Sequence, residues 1–298
     1  MLCLPSSIVI IKLRGGDMIN KSFFQITASV VFAAIGSVSS LAYAESCVPA
    51  HKFKTVTPGE LKVSAVYYPP FNEIDDAGNY KGLEADVLRI FAEKECLKLN
   101  AETASFSAST QFVSTGRADI SAGEWYRTEA RAKVLGVSDP VFIELMAVYS
   151  KSGIRSLSQL AGKTVGTVQG YLWVKDLQDV YGKNLKLYPT PMAALQDLQN
   201  GRVDAVLDAY TVGAYAQKQG TLPGIKIEIS DPDKRVATSV DPAQSGFLYS
   251  KDNTDLGVAL NAVIKELHET GQITEILKKH GVTVKLADVG SPRFVDAK

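Results

Sequence analysis

The stretch TGRADISAG at residues 115–123 returns in the second half of the chain as NGRVDAVLD at residues 200–208. In both copies Gly-Arg-x-Asp joins a helix-like run to a strand-like run. The glycine suits the left-handed residue that ends a helix, and the apolar run after it suits a buried strand. Outward from the first copy, ELKVSAVYY (60–68) reads as a strand ended by Pro69 and Pro70. GLEADVLRIFAEKECL (82–97) then places Leu83, Val87, Leu88 and Phe91 at helical spacing. Outward from the second copy, KTVGTVQG (163–170), YLWVKDLQDVYG (171–182), KNLKLYP (183–189) and PMAALQDLQNG (191–201) repeat the alternation. Strand, helix, strand in both halves predicts an α/β chain of two similar lobes, each around its own largely parallel sheet.

Composition agrees. The chain has 298 residues, 32 basic against 32 acidic side chains, and 46% hydrophobic content. That is globular, and a neutral chain carries no basic footprint for nucleic acid. From Met18, a lysine, an apolar run and small residues ending Ala42-Tyr43-Ala44 read as a secretory signal peptide at 18–44, cleaved after Ala44. A retained membrane anchor is the competing reading. Residues 1–17 are out of place before such a leader, and translation is expected to start at Met18. Two of the three cysteines, Cys47 and Cys96, follow the leader. In an exported, oxidising compartment such a pair reads as a disulfide. Neither has a C-x-x-C partner, so no zinc site is expected, and no cofactor is expected.

Ligands of open α/β sheets lie beyond the carboxyl ends of the strands. That rule selects residues 67–71, 104–107, 123–127, 168–171 and 207–210. They are rich in aromatics and hold two carboxylates, Glu124 and Asp208. Two lobes with facing strand ends make a cleft, a favoured place for a small molecule. Just past the third segment, GEWYRTEARAKVLGVSDP (123–140) sets Arg127 and Arg131 four apart at the start of a predicted helix. Thr128 can cap that helix, and a guanidinium there can form a bidentate pair with a carboxylate.

Five stretches, YYPPFNEIDDAGNYKGLEADVLRIFAEK (67–94), STGRADISAGEWYRTEARAKVLGVSDP (114–140), SLSQLAGKTVGTVQG (156–170), ALQDLQNGRVDAVLDAY (194–210) and ELHETGQITEILKKHG (266–281), resemble in this order the periplasmic solute-binding proteins for polar amino acids, relatives of the glutamine, histidine and lysine/arginine/ornithine binders. The resemblance implies a two-lobed periplasmic-binding-protein fold of type II, with two hinge strands. One ligand is then captured in the cleft by closure and delivered to an inner-membrane ABC permease. The expected divisions are an N-terminal extension at 45–59, the first lobe at 60–143 and 246–282, the second lobe at 144–245, and a tail at 283–298. A monomer in the periplasm is expected.

Residue by residue, the resemblance implies that Arg131 pairs with a ligand α-carboxylate and that Tyr68 and Phe106 sandwich its side chain. Arg127 is expected at the rim and Phe71 in the core. Trp125 and Tyr126 are expected to enclose the ligand, with Tyr171, Asp208 and Tyr210 added on closure. The departures are specific. Tyr171 and Leu172 replace the family's threonines, and Ala209 occupies the slot of the amine-binding aspartate. Asp208 comes one position early, where strand alternation turns it to the opposite face. Glu124 and Tyr126 stand at family serine positions, so either Glu124 or Asp208 is the candidate for the amine. These changes imply a more aromatic pocket, suited to an amino acid or an amino-acid-like zwitterion. A carrier, not an enzyme, is the expectation; the alternative is a cyclohexadienyl dehydratase-like enzyme with Glu124 as acid or base. His51, His268 and His280 all fall outside the five strand-end segments.

Overall fold

The computed structural model describes residues 47–295. The expected extension at 1–17, the start at Met18 and the leader at 18–44 lie outside the described residues. Among the described residues no helix is long and apolar enough to cross a membrane.

In chain order, β1 (Glu60–Val66) leads to a small hairpin, β2 (Glu73–Ile74) and β3 (Tyr80–Lys81), then to α1 (Leu83–Lys94). β4 (Lys98–Ala104), α2 (Phe106–Ser114), β5 (Ile120–Tyr126), α3 (Glu129–Val134), β6 (Gly136–Val137) and β7 (Phe142–Glu144) follow. Leu145 alone separates β7 from β8 (Met146–Ser150), which belongs to a second sheet. That sheet grows through β9 (Val165–Val168), α4 (Val174–Tyr181), β10 (Leu185–Tyr188), α5 (Pro191–Gln199), β11 (Ala205–Ala209), α6 (Tyr210–Lys218) and β12 (Lys226–Ile229). After α7 (Ala237–Val240) the chain returns to the first sheet in β13 (Ala243–Tyr249) and ends in α8 (Thr254–Glu269) and α9 (Gln272–His280).

The first sheet runs β4-β1-β5-β13-β6, with β7 also paired to β13, and the second runs β10-β9-β11-β8-β12. β4-β1-β5 and β10-β9-β11 are parallel, as βαβ units require. The chain therefore crosses between sheets twice, at Leu145 and between β12 and β13. The return comes slightly before the division expected at 245/246, because Ala243, Gln244 and Ser245 already pair with β7. The apolar stripe of α1 packs with β1 and β5 in the first core, where Leu83, Val87, Leu88, Phe91 and Phe71 are all buried. In the second lobe β11 is covered on both faces. Leu207 packs with Trp173 and Leu177, and Val206 packs with Tyr149 and Leu198. That two-sided burial is why its sequence is apolar without alternation.

The segment before β1 is fastened to the first lobe. A disulfide joins Cys47 to Cys96 at a Cα separation of 5.7 Å, and His51 Nδ1 meets the Glu95 carboxylate at 2.6 Å. The Asp119 carboxylate accepts the backbone N–H groups of Val56 and Lys62. The bridge closes a loop with a sequence separation of 49, which in the chain-entropy limit is a stabilisation of about 4 kcal/mol. The double variant Cys47→Ser/Cys96→Ser should lose about 2–4 kcal/mol in urea unfolding, with an unchanged far-UV spectrum. Equal stability would show that the rest of the segment's contacts suffice alone.

Candidate functional site

The site begins with how three strand ends are held. At the end of β1, Tyr68 N–H donates to Asn72 O at 2.9 Å, and Phe71 N–H donates to Tyr68 O at 2.9 Å. This turn is tied to the start of α1 by Leu83 N–H to Pro70 O and Glu84 N–H to Phe71 O. The approach requires Gly82, with φ 122°, since a Cβ there would lie 2.1 Å from Phe71 O.

At the end of β5 the pairing with β13 slips between Gly246 and Leu248, a β-bulge with the extra residues on β5. Glu124 sits in it at φ 52°, a left-handed conformation uncommon for a residue with a side chain. Its N–H donates to both oxygens of the buried Glu84 carboxylate at 3.1 Å. Glu84 also accepts from Asn72 Nδ2, and Asn72 accepts from the Tyr80 hydroxyl. The bulge thus re-aims the end of β5 and rests on a fully buried polar network.

Glu124, Glu144 and Asp208 are 6%, 2% and 0% exposed, and each keeps one buried carboxylate oxygen without a hydrogen-bond partner among the described residues. Glu144 ends β7. Its other oxygen accepts from Leu145 N–H at 3.0 Å and from Thr211 Oγ1 at 3.2 Å, at the start of α6. Asp208 Oδ1 accepts from Ala209 N–H at 2.7 Å. Burial pushes all three acids up, and the proximity of Glu144 adds to the rise at Glu124, as that of Asp208 does at Glu144. Burial likewise raises Asp208 to about 6 and Glu84 to about 7. The hydroxyls of Tyr68, Tyr126 and Tyr171 share the field of Asp208, and burial followed by these neighbours raises all three. Groups from the first lobe, the β7–β8 crossing and the second lobe therefore lie in one buried cluster. Three surface cavities, of about 420, 580 and 490 Å³, lie elsewhere on the first lobe and take in none of these acids.

Arg131 stands at the edge of this cluster. Thr128 caps α3 by accepting from Arg131 N–H at 3.2 Å. The guanidinium lies 4.9 Å from the centre of the Trp125 ring, and Nη1 donates to Tyr126 O. Burial lowers its pKa while nearby Glu124 opposes that shift. Phe106, 49% exposed, packs edge-on to Trp125 at 5.3 Å and to Tyr68 at 6.2 Å.

Three expectations change. Trp125 is buried with Val66, Val113 and Leu135 and donates Nε1–H to Ser121 Oγ at 2.8 Å, so it props up Arg131 rather than facing the acids. Tyr210 opens α6 and packs with Tyr149 and Ile227 beside Glu228, away from the cluster, because the helix starts where β11 stops. Arg127 is not at the rim. It is 5% exposed, and Nε donates to Ser138 O while Nη1 donates to Gln244 Oε1 and to Arg293 O. Phe294 covers its guanidinium at 4.8 Å, and buried Gln244 donates to Val289 O and Ser291 O. Arg127 therefore straps the C-terminal tail across β5 and β13. Asp208, the penultimate residue of β11, does lie beside Tyr171.

Glu84 and Glu144 escaped the sequence reading. Glu144 had a visible signal, an acid inside the apolar run VFIELMAVY (141–149), where a buried carboxylate needs a reason. Glu84 had none, since an acid in a first helical turn is ordinary.

Two outcomes follow from these contacts. Arg127→Ala leaves Gln244 and the tail carbonyls unpaired and should cost about 3 kcal/mol in urea unfolding. The raised acids give a pH dependence of known sign. Glu84 and Asp208 have folded pKa values of about 7 and about 6 against 4.5 and 3.8 for the free groups. Their favourable, protonated state is complete below pH 4 and is lost as pH rises through 6 to 7. The ligand-free protein should therefore melt lower at pH 8 than at pH 5, with the slope reduced in Asp208→Asn. A melting temperature that rises across that window contradicts the burial described.

The comparisons agree with this architecture. A family model described as "Bacterial extracellular solute-binding proteins, family 3" matches residues 62–283. The arginine-binding extracellular protein ArtP of Bacillus subtilis (strain 168) is 25% identical over 218 residues, 71% of this chain and 82% of that protein. The L-cystine-binding protein TcyJ of Escherichia coli (strain K12) is 24% identical over 217 residues, 71% and 78% of the two chains. Among solved structures, an ancestral arginine-binding protein bound to arginine superposes with a TM-score of 0.59 at 27% identity, over 75% of this chain and 98% of that one. With two α/β lobes, two crossings between them and a family match over most of its length, the chain belongs to the bacterial extracellular solute-binding proteins of family 3.

Proposed function

We propose that this protein is the periplasmic receptor of an ABC importer and captures an amino acid or amino-acid-like zwitterion by closure of its two lobes. The signal-peptide pattern read in the sequence at 18–44 supports export, and the binding proteins that the chain resembles support a carrier role. The observation that carries the reading is Arg131. It is a half-buried guanidinium stacked on Trp125, and its one hydrogen bond to the described residues is the one to Tyr126 O. Its remaining donors suit a bidentate carboxylate. Tyr68 and Phe106 then flank the ligand from the first lobe, and Tyr171 and Asp208 meet it from the second. A ligand that touches both lobes binds the closed state better than the open one, and that difference drives closure.

A second reading keeps one specific support. Glu124 is buried, keeps one oxygen with no hydrogen-bond partner among the described residues, and is raised well above the ordinary carboxylate range, as a general acid would be. Steady conversion of prephenate or arogenate, abolished by Glu124→Gln, would establish a dehydratase instead. For the carrier, Arg131→Ala should weaken the amino acid selected by a thermal-shift screen by at least about 2 kcal/mol in titration calorimetry, because a charge-assisted pair is lost in a desolvated site. An unchanged affinity removes the carboxylate assignment.

A further inference from the structure

The three acids that each keep an open oxygen come from three different parts of the chain. Glu124 is in the β5 bulge, Glu144 ends the strand that leads into the second lobe, and Asp208 is the penultimate residue of β11. Each is more than nine-tenths buried with one oxygen that makes no hydrogen bond to the described residues, with the Ser245 hydroxyl close to Glu124 and the Tyr171 hydroxyl close to Asp208. Natural proteins seldom leave a buried carboxylate in that state unless a partner arrives. Glu144 is held especially well, because Thr211 and Leu145 secure one oxygen while the other makes no hydrogen bond to the described residues, and the carboxyl group lies close enough to Glu124, Asp208 and Tyr126 to interact with them.

Counting charge around a bound zwitterion narrows the partner. Arg131 is the cation that opposes Glu124, and a ligand carboxylate seated on Arg131 would neutralise it. Neither Glu144 nor Asp208 has a cationic side chain among the groups that shift it. A single α-ammonium then faces three carboxyl groups. It has donors for several oxygens but compensates only one charge. A second cationic nitrogen would compensate another, and the remaining acid can hold a proton.

Resting on the carboxylate reading of Arg131, we propose that Glu144 is a specificity-determining residue and that the row Glu124–Glu144–Asp208 takes a ligand with two cationic nitrogens and one carboxylate, a molecule of net positive charge. Glu144 is placed to sense the ligand at the crossing between lobes, where its secured oxygen already engages the second lobe through Thr211. Tyr126 and Tyr171 supply aromatic faces beside the same cation.

The test compares probes of matched shape and different charge by titration calorimetry at pH 7.5. L-arginine is set against L-citrulline, and L-lysine and L-ornithine are set against L-norleucine and L-glutamine. At least one cationic probe should bind about tenfold tighter than its neutral counterpart. Glu144→Gln should cut that ratio by about tenfold while the neutral probe changes little. Neutral probes that bind as tightly as cationic ones overturn the proposal, as does Glu144→Gln weakening both classes equally. Should Glu144→Gln fail to fold, Asp208→Asn is read by the same ratio. The underlying reading fails separately, and takes this proposal with it, if no probe binds or if Arg131→Ala leaves the tightest probe unaffected.

Discussion

A carboxylate buried on α1, Glu84, accepts the N–H of Glu124 on both oxygens and so holds the bulge at the end of β5. The direction of everything that follows depends on this contact. Glu124 is kept in a left-handed conformation, Tyr126 turns toward the cluster, Arg127 turns away toward the tail, and Thr128 starts the short helix that carries Arg131. Gly123 is part of the same constraint. A Cβ there would lie 2.9 Å from Val66 and 3.1 Å from the Trp125 ring nitrogen. A polar network closed inside a hydrophobic lobe is costly when any member is missing, which makes it a firm determinant of one local geometry.

The distribution of charge across the cluster is unusual for a neutral chain. Four acids, Glu84, Glu124, Glu144 and Asp208, lie in this region, and Arg131 is the cation that acts on Glu124. Glu84 is satisfied by backbone and amide donors. Glu124, Glu144 and Asp208 each keep one buried oxygen that makes no hydrogen bond to the described residues, and burial disfavours their charged forms. The tyrosines around them, Tyr68, Tyr126 and Tyr171, bring hydroxyls and ring faces to the same cluster.

The tail and the crossings form a second organised region. Gln244, fully buried at the start of β13, is hydrogen-bonded to Arg127, Val289, Ser291 and Arg293, and Arg293 pairs with Asp241 at 2.7 Å. The last described residues thus lie across the return from the second sheet to the first. Glu144 and Thr211 lie at the other crossing. Both connections between the lobes are therefore fixed by buried polar contacts rather than by apolar packing alone.

Much of this was legible in order of residues. The repeated Gly-Arg-x-Asp stretches, the α1 stripe and the strand-end rule located two α/β lobes and the segments that hold Tyr68, Phe106, Glu124, Tyr126, Tyr171 and Asp208, because periodicity and turn chemistry are local. Direction was not legible. A bulge set by a partner 40 residues away decided that Arg127 serves the tail and that Trp125 is a prop, and the start of α6 decided that Tyr210 leaves the site. The convergence of Glu124 with Glu144 and Asp208 also required the tertiary structure. Whether an acid in an apolar run is a satisfied core residue or an open oxygen depends on donors brought from distant elements, and no spacing along the chain contains that information.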